Sequence, residues 1–196
     1  MMRNKWKLCL LGIISGFLSF SILWVSDKTI LEGFMWYGPG LVFGIITSFY
    51  FVFFTKHNYK WLLYRIVLWM ALSTISYYVA VQVTIRTMDS SLFNSLNLLP
   101  HLDFSPPPLS FFVGGSVGAS LLLIGFWLLW FSVTFFQFPV IVFLGGLLGV
   151  SFYLGPSGWE MLQHLILFVF WQTGIAFSLG YIIDRKEVSN KLSSYL

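Results

Sequence analysis

Glu160 and His164 stand four residues apart in a stretch of apolar residues, so on a helix they share one face. A carboxylate and an imidazole at that spacing offer half of a metal site or an acid–base pair. Gln163 lies beside them, and the three residues mark one wall of a pocket expected at the outer ends of the third and sixth membrane spans. A second explanation covers Glu160 alone. Ser157 and Glu160 fit a capping box, the serine capping the first turn and the glutamate reaching back to the serine N–H. His101 and Asp103, in the long segment 86–109, would bring the ligand types of a zinc site if that segment folds over the bundle. Neither pair has the spacing of a dense metal motif, so no metal and no cofactor are assigned. Gln172, beside Thr173, falls near the middle of an apolar run, where an amide needs a partner inside the bundle or a cavity to face. Ser73, Thr74 and Ser76 lie equally deep and are the expected partners. The candidate substrate-binding residues are therefore Glu160, Gln163, His164, Gln172, His101 and Asp103.

Gly155-Pro156-Ser157-Gly158 has the GxSG form. Over those four residues the chain resembles the serine site of rhomboid-type intramembrane proteases, which would imply a nucleophilic Ser157. A serine needs its base within about 3 Å. His164, seven residues along the same helix, is ~10 Å away by helical rise, which leaves only His101 to serve, and no catalytic residue is assigned. Glycines recur at i and i+4 as Gly12 and Gly16, Gly40 and Gly44, Gly114 and Gly118, and Gly145 and Gly149. Such pairs let helix backbones approach closely, either inside one bundle or at a docking face for another membrane subunit.

The elements that must hold these residues follow from composition. Of 196 residues, 58% are hydrophobic and only 9% charged, against about 25% charged in soluble domains. Lipid gives the backbone no hydrogen-bond partner, so a spanning segment is a helix or part of a closed barrel. No alternation of apolar and polar residues suggests a barrel, and long apolar runs predict an all-α bundle of six transmembrane helices forming one domain over residues 1–196. The expected spans are 8–25, 38–55, 61–85, 109–133, 139–154 and 159–183, with a short interfacial helix in the loop 86–108 and a polar tail from Asp184. Arg3, Lys5 and Lys7 precede the first run without a small-residue cleavage site after it, which reads as an uncleaved anchor.

Nine Lys and Arg (Arg3, Lys5, Lys7, Lys56, Lys60, Arg65, Arg185, Lys186 and Lys191) fall on one side of these spans and two (Lys28 and Arg86) on the other. The basic side is cytoplasmic, so both termini are cytoplasmic in a multi-pass protein of a cell (inner) membrane, N-in and C-in. The turn near Gln137 belongs to that side yet carries no cation, which a tight buried hairpin would explain. The net charge of +4 follows from this topology and gives no reason to invoke nucleic acid.

No Asp, Glu, Lys or Arg lies at the centre of any span, which argues against carboxylate proton relays and voltage-sensing arginines. There is no P-loop and no dinucleotide glycine motif. Three function classes remain: a small-molecule transport or substrate-binding membrane subunit, which is favoured; a structural or assembly partner of another membrane protein; and an outer-face membrane enzyme using His164, Glu160, His101 and Asp103. In size, span number and orientation the chain is similar to the substrate-binding subunits of energy-coupling-factor vitamin transporters, without a shared motif. Gly12 and Gly16 match Gly114 and Gly118 at an offset of 102; Pro39, Val42 and Phe43 match Pro139, Val142 and Phe143 at 100; Trp69 and Ser76 match Trp171 and Ser178 at 102. These offsets point to a 3+3 inverted repeat, an arrangement common among transporters.

Overall fold

The computed structural model describes residues 3–26, 32–54, 61–88, 108–130, 133–156 and 158–193, and all regular structure among them is helical. In chain order the helices are α1 (Asn4–Ser26), α2 (Gly38–Phe54), α3 (Leu62–Met88), α4 (Pro108–Leu129), α5 (Gln137–Gly149) and α6 (Glu160–Ser193). Two short 3-10 helices accompany them, Glu32–Trp36 ahead of α2 and Val150–Leu154 directly after α5. Five helical segments are long and apolar enough to cross a membrane, counting α5 with its 3-10 continuation as one. The tighter winding lengthens that rod to ~30 Å, the thickness of a bilayer core. The 17 residues of α2 reach ~26 Å.

Proline marks several helix starts. Pro39, Pro108 and Pro139 each sit in the first turn of α2, α4 and α5, where a missing N–H breaks no intrahelical bond. The turn into α6 instead needs a left-handed residue, and Gly158 supplies it with φ 86°. Before α5, Thr134 N–H donates to Gln137 Oε1 at 3.0 Å and Gln137 N–H to the Thr134 carbonyl at 3.0 Å. This fixes the turn but does not bury it. Phe135 and Phe136 are 86% and 81% exposed, so the expected buried hairpin is corrected to a hydrogen-bonded turn with both rings outward. The expected polar tail is also helical as far as Ser193, because no glycine or proline interrupts Asp184–Ser193 and its Arg, Lys and Glu are good helix formers. The expected interfacial helix within 86–108 falls almost wholly outside the described residues.

Each helix packs on its neighbour in the chain, and α6 closes on α1 through the most extensive seam in the molecule, which makes a ring in sequence order. Short connections favour this arrangement everywhere but between α3 and α4, which residues 89–107 join. At the end of the ring that carries the termini, α2, α3 and α4 fill the interior with aromatic side chains. Phe51 stacks on Trp130 at 4.7 Å and meets Trp69 edge-on at 5.6 Å. Trp69 is fully buried, and its Nε1–H donates to Thr47 Oγ1 at 2.7 Å. That hydroxyl in turn donates to the Phe43 carbonyl at 2.6 Å.

The seam between α1 and α6 ends in a clasp. The first N–H groups of a helix have no intrahelical acceptor and carry partial positive charge. Asp184 supplies both oxygens to them: Oδ1 accepts from Asn4 N–H at 3.0 Å and Oδ2 from Lys5 N–H at 3.3 Å. Gly180, one turn earlier on α6, lets the Lys5 backbone lie directly against it.

Candidate functional site

At the end of the ring opposite the termini, α6 begins with Glu160 exposed and His164 half-buried. Their side chains do not pair with each other. His164 Nδ1 lies 2.8 Å from the Glu160 backbone carbonyl, an acceptor only, so this nitrogen carries the hydrogen and donates it. The imidazole stands edge-on to Phe152 at 5.2 Å and tilted against Phe168 at 6.5 Å, which fixes the ring between aromatic neighbours. Gln163 packs against Gly155, where a Cβ would meet its Cγ at 2.7 Å. His101, Asp103 and Ser157 lie outside the described residues, and with them the zinc set, the capping box and the GxSG serine. Among the described residues no group of three or more His, Cys, Asp or Glu gathers to hold a metal ion.

Gln172 is the candidate most firmly held. It is 2% exposed, and its Nε2 donates to Ser19 Oγ of α1 at 2.9 Å. Ser19 Oγ in turn lies 3.4 Å from the Pro39 carbonyl of α2. The expected partners on α3 are used elsewhere, because their hydroxyls reach carbonyls rather than the amide. Ser73 donates to the Gly40 carbonyl at 2.7 Å, Ser76 to the Gly118 carbonyl at 2.7 Å, and Thr74 to Met70 of its own helix at 2.8 Å. Gln172 Oε1 is left without a hydrogen-bond partner.

All four glycine pairs face helices of this same chain. A Cβ on Gly12 would lie 2.7 Å from Thr173 Cα and one on Gly16 2.6 Å from Val169 Cα, both on α6. On α2, a Cβ at Gly40 would lie 2.9 Å from Thr74 Cα and one at Gly44 2.9 Å from Met70 Cα, both on α3. Gly114 and Gly118 on α4 lie against Thr84 and Ala80 of α3, while Gly145 and Gly149 on α5 lie against Ala119 and Phe111 of α4.

Where glycines of two helices meet, side-chain volume is missing. Gly114, Gly115 and Gly149 border a partly open cavity of about 80 Å³ between α3, α4 and α6, lined also by Tyr77, Trp171 and Gln172 among others. None of its lining residues carries a formal charge. Two of them keep an unsatisfied polar atom, Gln172 Oε1 as an acceptor and Trp171 Nε1 as a donor. Glu160, Gln163 and His164 do not border this cavity, which lies deeper along α6, about 10–18 Å from the Glu160 end. Sequence reasoning found Gln172 and two of the bordering glycines but missed Trp171. Its signal was a tryptophan far from either span end, where the indole N–H has no water to bond.

A larger groove of about 920 Å³ opens between α5 and α6 at the end that carries the termini. No glycine pair draws these two helices together there, and α5 packs on α6 less extensively than any other helix packs on its neighbour. Compared with protein families, characterised proteins and solved structures, the chain matches none of them.

Proposed function

We propose that the chain is a six-span membrane subunit, with both ends cytoplasmic, that binds a small uncharged solute in the cavity between α3, α4 and α6 and serves its transport. One observation carries this: an uncharged hollow is lined by Trp171 and Gln172, and each of these two side chains keeps a buried polar atom, Nε1 and Oε1, without a hydrogen-bond partner. A buried polar group left unsatisfied costs about 1–3 kcal/mol. A solute with one donor and one acceptor, such as an amide or an alcohol, relieves both once the two side chains turn toward it. A charged solute would meet no counter-charge there and would lose its hydration.

The contact between Asn4 and Asp184 supports an even number of spans, with the start of α1 and the Asp184 end of the last span on one side. With α2 as the sixth span, the basic excess at that side supports the cytoplasmic assignment. The ring order also supports a 3+3 repeat, since exchanging α1–α3 with α4–α6 leaves the order of neighbours unchanged. Gly12 and Gly16 of α1 face α6, and their counterparts Gly114 and Gly118 of α4 face α3, as such an exchange requires.

The test is solute influx into proteoliposomes followed by stopped-flow light scattering, with urea, acetamide and glycerol as probes. Faster influx of at least one probe than in protein-free vesicles is expected, falling to the protein-free rate in Gln172→Leu and in Val81→Trp, which fills the cavity. Inserted wild-type protein that speeds none of the three removes the proposal. So does flux that survives both substitutions.

A further inference from the structure

The groove between α5 and α6 changes character along its length. Its inner part is lined by Val140, Ile141, Leu144 and Phe177, and its mouth by Gln137, Arg185 and Lys186. From Phe177 to Ser189 the α6 wall runs ~18 Å. Phe136 and Val140 line the groove and are also 81% and 65% exposed, so it opens sideways to whatever surrounds the bundle.

We propose that this groove holds an anionic phospholipid of the surrounding bilayer, with an acyl chain along Val140, Leu144 and Phe177 and the phosphate at Arg185 and Lys186. The polarity gradient matches an amphiphile whose tail points into the membrane and whose head lies at its surface. Charge decides between headgroups. Among the described residues no carboxylate lines the groove, and the nearby Asp184 is engaged with the backbone of α1. Arg185 is braced in place, its Nε donating to Tyr181 Oη at 2.9 Å and its guanidinium lying 5.4 Å from that ring. A third cation stands close, with Lys5 Nζ 5.8 Å from the ring of Phe177. Basic pockets between helices on the cytoplasmic side recognise anionic headgroups in this way. The volume lies within the roughly 300–1,000 Å³ of ordinary small-molecule sites. The proposal is independent of the solute cavity, which shares no lining residue with the groove.

Native mass spectrometry of the full chain in detergent micelles tests it, titrating phosphatidylglycerol and phosphatidylcholine with identical acyl chains. The wild type is expected to retain one phosphatidylglycerol in preference to phosphatidylcholine. A basic residue near an anionic surface is worth about fivefold in affinity, so Arg185→Gln with Lys186→Gln should cost about 25-fold. Leu144→Trp, which fills the apolar end and leaves both cations, should also lower retention with unchanged helical circular dichroism. It decides the matter if the double variant does not fold. Glycerol 3-phosphate, a headgroup without tails, should not displace the lipid. Equal binding of the two lipids overturns the proposal, as does undiminished binding in the folded variants. Displacement by glycerol 3-phosphate, or a dimer that excludes lipid, overturns it too.

Discussion

Replacing Gly16 by alanine places a methyl carbon 2.6 Å from Val169 Cα and 2.9 Å from the Phe168 carbonyl oxygen, both backbone atoms that no rotamer change can move. Carbon pairs rest at about 3.5–4.0 Å, so α1 and α6 must part by about 1 Å. Ser19 lies three residues further along α1, and its 2.9 Å bond from Gln172 then stretches beyond hydrogen-bonding range. Overpacking costs about 1–3 kcal/mol and the lost bond about 1, against a gain of about 1 from the better helix propensity of alanine. The balance is a net loss of about 1–3 kcal/mol. The assay is reversible unfolding by sodium dodecyl sulfate in mixed micelles, followed by far-ultraviolet circular dichroism. Gly33→Ala is the control, because a Cβ there meets nothing within 4 Å and its effect should stay within about 0.5 kcal/mol. Trimming the opposing side chain with Val169→Ala should not rescue Gly16→Ala, since the clash is with backbone. A Gly16→Ala protein as stable as wild type, or one rescued by Val169→Ala, would refute the reasoning.

Asp184→Ala should cost about 1–2 kcal/mol and Asp184→Asn less, because asparagine keeps one acceptor for the α1 N–H groups while losing the charge and the second oxygen; faster hydrogen exchange at the Asn4 and Lys5 amides checks both. Trp69→Phe and Thr47→Val each remove one side of the same bond, and a double-mutant cycle on stability should return a coupling of about 1 kcal/mol. Among the described residues no group of three or more His, Cys, Asp or Glu forms around His164, so metal analysis of purified protein should find zinc well below one equivalent, unchanged by His164→Ala. With Cys9→Ser as background, Ser189→Cys should react with a membrane-impermeant thiol reagent in inside-out vesicles and not in right-side-out ones.

Much of the helical layout is legible because lipid leaves the backbone no alternative. Runs such as 8–25 and 109–133 declare helices by composition alone, and the prolines at 39 and 139 mark where two of them begin. Glycine spacing likewise announces close backbone approach. What it does not contain is the identity of the opposing helix, since i, i+4 spacing defines a face and not what lies across from it. The partner of Gln172 stayed hidden for the same reason. Depth favoured the α3 hydroxyls, but those met nearer carbonyls, and the amide met a serine 153 residues away. Asp184 reads as the polar end of a span until α1 is known to start beside it. The cavity is harder still, because it consists of atoms that are absent at Gly114, Gly115 and Gly149 on two helices, and no single segment records it.

The clasp at Asp184 also sets a timetable for biogenesis. Its acceptor lies 180 residues after the amide of Asn4 that it holds. At about 5–20 residues per second, a ribosome delivers it roughly 10–40 s later. Throughout that interval the nascent α1 sits in the membrane with Gly12, Gly16 and Ser19 facing lipid or the insertion machinery, and with its first amides awaiting their carboxylate. The ring therefore closes only when its last helix arrives, and a ribosome that stalls before α6 leaves behind an unclosed bundle with the glycine seam of α1 bare.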